Sequence, residues 1–114
     1  AAEAGVDPAR IVFSTFFEER FHVAAKGTCD LFLDAHPYSA HGTAADALFA
    51  GLPMLNFPSD TMVSRVGASL AFASPQGTLL TARTFGEYLT IAHHLIGTKK
   101  GAAALAQYRK SLEW

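Results

Sequence analysis

Residues 34–51 read Asp34-Ala35-His36-Pro37-Tyr38-Ser39-Ala40-His41-Gly42-Thr43-Ala44-Ala45-Asp46-Ala47-Leu48-Phe49-Ala50-Gly51. The segment leading into them, 30–34, is short and mostly apolar, without polar–apolar alternation, as in a strand covered on both faces of a parallel sheet. Pro37, Tyr38 and Ser39 interrupt it. From Thr43 the alanine-rich composition favours a helix, and Gly51 with Pro53 shortly after it supplies the stop. The stretch is therefore a strand-to-helix turn. Such a turn sends the free N–H groups of the first helical turn past the carboxyl end of the strand, where open α/β sheets bind ligands. His41 offers a donor or a positive charge, Gly42 lets a ligand oxygen approach the backbone, and Thr43 adds a hydroxyl beside its own N–H. Three such groups in succession suit a phosphate. A plainer alternative stands beside this one, with Thr43 a helix N-cap and Asp46 its capping-box partner or a first-turn acid.

The chain has 114 residues, half of them hydrophobic, which is enough for one domain with a real core. A net charge of −1 gives no general attraction for nucleic acid or an anionic membrane, so an anion site must be local. Cys29, the one cysteine, allows no internal disulfide and no thiolate cluster for a metal. It suits an intracellular protein, cytoplasmic or nuclear, and is expected to be buried. No apolar run reaches the roughly 18 residues of a membrane span.

Outside the central turn, residues 1–5 read as a helix tail closed by Gly5, and residues 10–13 as a strand. Residues 18–26 form a short helix closed by Gly27, with His22 beside its apolar face. A lone histidine there is more often a surface or core-edge residue than a ligand group. A further strand is expected at 53–57, then a helix capped by Ser59 or Asp60, in which Met62, Val63, Val66, Leu70 and Ala71 recur at helical spacing. Arg65 in that helix either pairs with Asp60 or faces solvent. Residues 79–81 are a candidate last strand. Thr84 and Glu87 form a capping box for a helix over 85–96, in which His93 and His94 are adjacent and so cannot make the four-apart metal pair. A basic turn at 97–101 leads to a closing helix whose Leu112 and Trp114 are expected to dock on the sheet or on a neighbouring part of the protein. The alternation implies an α/β fold, a Rossmann-like, mainly parallel sheet of three to four strands flanked by helices. Neither the glycine-rich dinucleotide fingerprint nor a P-loop is present.

Taken in order, Arg10 to Ser14, His22, the 30–34 strand, His41-Gly42-Thr43-Ala44-Ala45-Asp46, Gly51-Leu52-Pro53 and Ser64-Arg65-Val66 resemble the C-terminal catalytic half of the O-linked N-acetylglucosamine transferase family, which includes SPINDLY-type protein O-fucosyltransferases. The resemblance covers about residues 5–114. It implies that the chain is a single partial domain, the nucleotide-sugar-binding second lobe of a GT-B type glycosyltransferase, with an upstream lobe and any helical repeats lying outside it. His41, Gly42 and Thr43 would hold the diphosphate, Asp46 the ribose, and His22 the base and ribose. The family reaction, transfer of N-acetylglucosamine from UDP-GlcNAc to Ser or Thr of a protein acceptor, uses no metal or other cofactor. GDP-fucose as donor, or a non-catalytic nucleotide-binding or scaffold domain, are the alternatives, and an apolar face open to the missing lobe would favour self-association. Two departures stand out. The family usually has His-Thr-Thr where this chain has His41-Gly42-Thr43, and the donor-binding lysine of its animal members falls on or near Glu19.

Overall fold

A computed structural model describes residues 1–75 and 77–113. Its centre is a parallel pair, β1 (Phe32–Leu33) and β2 (Met54–Leu55), with Phe32 opposite Met54 and Leu33 opposite Leu55. The bonds Phe32 N–H to Pro53 O at 2.9 Å and Asp34 N–H to Leu55 O at 3.0 Å close the ladder. A bridge from Asn56 to Thr81 extends the parallel arrangement, with Asn56 N–H donating to Leu80 O and Ala82 N–H to Asn56 O, both at 2.8 Å. The expected class therefore holds, as a narrower sheet of two strands and one bridged segment.

Among the described residues five α-helices surround it: α1 (Glu19–Lys26), α2 (Gly42–Phe49), α3 (Val66–Ala71), α4 (Phe85–Gly97) and α5 (Lys99–Ser111). Ala44 and Leu48 of α2, Met54 of β2, Ala71 of α3 and Leu112 form one apolar cluster. Leu80, Leu95 of α4 and Leu105 of α5 form a second. Leu112 thus docks where expected; Trp114 lies outside the described residues. Gly51 ends the α2 connection at φ 76°, a conformation that favours glycine and turns the chain into the buried Leu52-Pro53.

Four expectations are corrected. Residues 10–13 form no strand. Asp7 accepts a hydrogen bond from Ala9 N–H and caps a 3-10 turn at Pro8–Arg10, and Ile11 N–H is used by Pro8 O. This local bonding competes with extension, and no neighbour among the described residues offers a ladder. Cys29 is exposed rather than buried, because it sits in the turn after α1. The helix expected from Ser59 or Asp60 is divided into a 3-10 turn, Met62–Ser64, and α3, with Thr61 as the first cap position. Ser64 causes the break: its hydroxyl donates to Thr61 O at 2.7 Å and accepts from Ser59 N–H at 2.9 Å, so it is buried rather than directed outward. The basic turn expected at 97–101 shrinks to Thr98, because Gly97 ends α4 and Lys99 already begins α5. Thr98 caps α5 by accepting from Gly101 N–H at 2.9 Å and donates to His94 O at 2.8 Å.

Thr84 caps α4 as read, accepting from Glu87 N–H at 3.1 Å, but the Glu87 carboxylate returns to Arg83 N–H at 2.7 Å.

Candidate functional site

Asp34 follows β1 directly, at the carboxyl end of the sheet. Its side chain is buried, and Oδ1 accepts from Ala35 N–H at 3.0 Å and Ala40 N–H at 2.8 Å. The carboxylate therefore folds the loop 35–40 back over itself. Burial pushes its pKa above the ordinary carboxylate range; the two N–H bonds and the nearby His41 oppose that shift. From α4, the Tyr88 hydroxyl donates to the Asp34 carbonyl at 3.0 Å, and its own pKa is raised by burial and then by the Asp34 charge.

Ser39 locks the far end of the loop. Its N–H and its hydroxyl both donate to Val63 O, at 3.0 and 2.9 Å, and its oxygen accepts from Gly67 N–H at 3.1 Å. Gly67 is required by space: a Cβ there would meet Asp34 Oδ2 at 2.7 Å and Asn56 Oδ1 at 3.0 Å. The Asn56 Oδ1 atom is buried without a hydrogen-bond partner among the described residues.

This loop delivers His41 to the start of α2. Nδ1 of His41 lies 2.8 Å from Ser39 O, and the Tyr38 ring stacks on the imidazole at 4.8 Å. The helix begins at Gly42, one residue earlier than expected, with His41 as the cap residue and no side-chain cap. Thr43 is thus inside the first turn, not the N-cap, and Asp46 is not its capping partner. Ala44 and Ala45 N–H return to His41 O at 3.0 and 3.2 Å, leaving Gly42 and Thr43 N–H without a partner among the described residues. Gly42 has nothing within 4 Å of a would-be Cβ, and both it and Thr43 are exposed. Asp46 is half-buried three residues after Thr43, on the same helical face.

His22 stands apart. It is exposed on α1, in close contact with Lys26 Nζ, and lines a hollow of about 470 Å³ with Ser14, Thr15, Phe16, Phe17 and Glu19. None of residues 41–46 lines that hollow. The two helices approach instead near their ends, where Gly27 packs on Ala50. Arg65 pairs with Asp60 at 3.8 Å, both side chains exposed, and donates to Ser59 O. Among the described residues no group of three or more His, Cys, Asp or Glu is placed to hold a metal, and no helix is long and apolar enough to cross a membrane.

The supporting residues Asp34, Ser39, Gly67 and Tyr88 were not singled out as site residues from the sequence. An acid closing an apolar strand and a glycine inside a helical pattern were the available signals.

A parallel strand pair, a polar loop and an open helix start define an open α/β lobe with a binding edge at the carboxyl end of its strands. Residues 1–111 match glycosyl transferase family 41, and the chain belongs to that family. A Caenorhabditis elegans UDP-N-acetylglucosamine-peptide N-acetylglucosaminyltransferase is 38% identical over 93 residues, 82% of this chain and 8% of that protein. An Arabidopsis thaliana protein described as a probable enzyme of the same name is 32% identical over 107 residues, 94% of this chain and 11% of that one. The structure superposes on an O-GlcNAc transferase mutant from Thermobaculum terrenum with a TM-score of 0.82 and 26% identity, over 97% of this chain and 21% of that one. The chain therefore spans about a tenth of the curated relatives it matches.

Proposed function

We propose that this chain binds the nucleotide-sugar donor of a protein O-glycosyltransferase, UDP-N-acetylglucosamine, within a larger two-lobed enzyme that transfers the sugar to Ser or Thr. The observation that carries this is the pair of unpartnered N–H groups at Gly42 and Thr43 beside His41, at the carboxyl end of a parallel strand. The diphosphate lies on these groups, with Thr43 Oγ1 as a further donor and Asp46 accepting from the ribose. His22 meets the base and ribose when the donor spans from α2 to the hollow on α1. Charge grows on the diphosphate as the sugar departs, and the helix N-terminus stabilises that charge without reorganising. Donor binding and transfer need no metal in this reading. The names of the relatives favour UDP over GDP.

Glu19 shares the His22 hollow and works against an anionic donor. Replacing it by lysine should tighten donor binding by about threefold at low salt.

The test is a ligand series. Uridine, UMP and UDP should bind in rising order, with UDP reaching about millimolar affinity because only one side of the nucleotide is enclosed. Equal affinity of uridine and UDP would show that the diphosphate has no seat here.

A further inference from the structure

The His41 ring is held by a bond whose direction chemistry fixes. Nδ1 faces the Ser39 carbonyl oxygen at 2.8 Å. A carbonyl only accepts, so Nδ1 carries hydrogen. In the neutral ring Nε2 is then a lone-pair acceptor. A phosphate oxygen is an acceptor too, and two acceptors cannot bond until one is protonated.

Both the ring and the carbonyl it donates to have packed neighbours. Tyr38 covers one face. Ser39 is 1% exposed, and Val63 O and Gly67 N–H fix both its backbone and its hydroxyl. Ala40, the residue between Ser39 and His41, is tied to the Asp34 carboxylate. The titratable groups that face the imidazole are Asp34, on whose carboxylate the His41 charge acts, and the stacked Tyr38; Asp46 lies one turn further along α2. From the α3 side Arg65 is engaged by Asp60 and Ser59, and from α4 Tyr88 is engaged by the Asp34 carbonyl.

We propose that Ser39 is a positioning residue that holds His41 with hydrogen on Nδ1, so that a donor diphosphate is bound there only with uptake of one proton at Nε2. The proton comes from solvent, and the bound imidazolium donates from both nitrogens, to Ser39 O and to the phosphate. This rests on the diphosphate reading above. It makes donor retention weaken as pH rises, and makes release of UDP a step that also releases a proton.

The experiment uses the 114-residue chain and UDP-N-acetylglucosamine, whose diphosphate is esterified at both ends and so does not itself titrate in the range studied. Ring nitrogen shifts of free His41 at alkaline pH should show Nδ1 protonated and Nε2 bare, and both protonated in the complex. Between about pH 7 and about pH 8.5 the apparent Kd should rise about tenfold per pH unit. His41→Gln, which keeps a permanent amide donor, should bind with no such slope. Ser39→Ala keeps the carbonyl that accepts from Nδ1 but loses the hydroxyl that ties it to Val63 O and Gly67 N–H, so it should show mixed His41 tautomers and a shallower slope; the wild-type tautomer and slope in that variant would remove the Ser39 hydroxyl from the positioning role. If that variant does not fold, the wild-type ring spectrum and slope decide. A flat Kd with Gly42 and Thr43 amides still shifting would overturn proton uptake and leave the diphosphate seat standing. No shift at either amide would remove both.

Discussion

Residues 11–17 and residues 34–41 are both irregular backbone, yet they are ordered in opposite ways. The first stretch holds five large apolar residues, including Val12, Phe13 and Phe16 at 84, 89 and 101% exposure, and every residue from 1 to 22 is exposed. The second is polar by composition but is held by Asp34 and Ser39, at 7 and 1% exposure. Apolar strand-like sequence without a pairing partner stays outside the core, while a polar loop becomes fixed when buried acceptors meet its own N–H groups. Hydrophobicity supplies material for a core; local hydrogen bonds decide where the backbone goes.

The contrast breaks most sharply at two glycines. Gly67→Ala should lower unfolding free energy by about 3 kcal/mol in urea, since its Cβ meets two buried side chains. Gly42→Ala, with open space around it, should leave stability unchanged or raise it by up to about 1 kcal/mol through helix propensity. Equal effects at the two positions would mean that the 34–67 junction is not close-packed.

Next in size, Ser39→Ala should cost about 2 kcal/mol, because the buried Gly67 N–H loses its acceptor. By comparison, Phe16→Ser should change stability by under about 0.5 kcal/mol. The same change should weaken self-association in a sedimentation series, because it removes part of the exposed apolar stretch. A destabilised, still self-associating Phe16 variant would show that this segment packs against the fold.

The smallest effect is a pH dependence. Burial raises the folded pKa of Asp34, so between the ordinary carboxylate value and that raised value the folded chain binds more protons than the unfolded one. Its contribution is therefore most favourable in acid and is lost as pH rises through the raised value. Asp34→Asn, whose amide oxygen still accepts from Ala35 and Ala40 N–H, should flatten that fall in denaturant midpoints. An unchanged acid limb would assign it to other carboxyls.

Much of the central architecture was legible because its signals are local. An apolar run, a Pro-containing break, an alanine-rich helix and Gly51 at φ 76° all act within a few residues. The capping of α4 by Thr84 is likewise a three-residue relation. What was not legible depends on distant partners. Ser39 bonds Gly67 across 28 residues of sequence, and nothing near Ser39 indicates which residue it meets. Residues 10–13 have strand composition, but a strand exists only as part of a ladder. At the candidate site, the row His41-Gly42-Thr43 was readable as an anion turn from residue chemistry alone. Its supports were not, because Asp34, Ser39 and Gly67 converge only after folding.

If the open start of α2 seats a donor diphosphate, its two free N–H groups must respond to UDP. The direct measurement follows backbone amides of the chain while UDP is titrated into the wild type, Thr43→Ala and His41→Ala. The Gly42 and Thr43 amides of the wild type should shift with a midpoint at about millimolar UDP, and either substitution should weaken binding by about tenfold or more while the remaining spectrum stays folded. Unmoved Gly42 and Thr43 amides at saturating UDP, or equal binding by all three proteins, would contradict that seating.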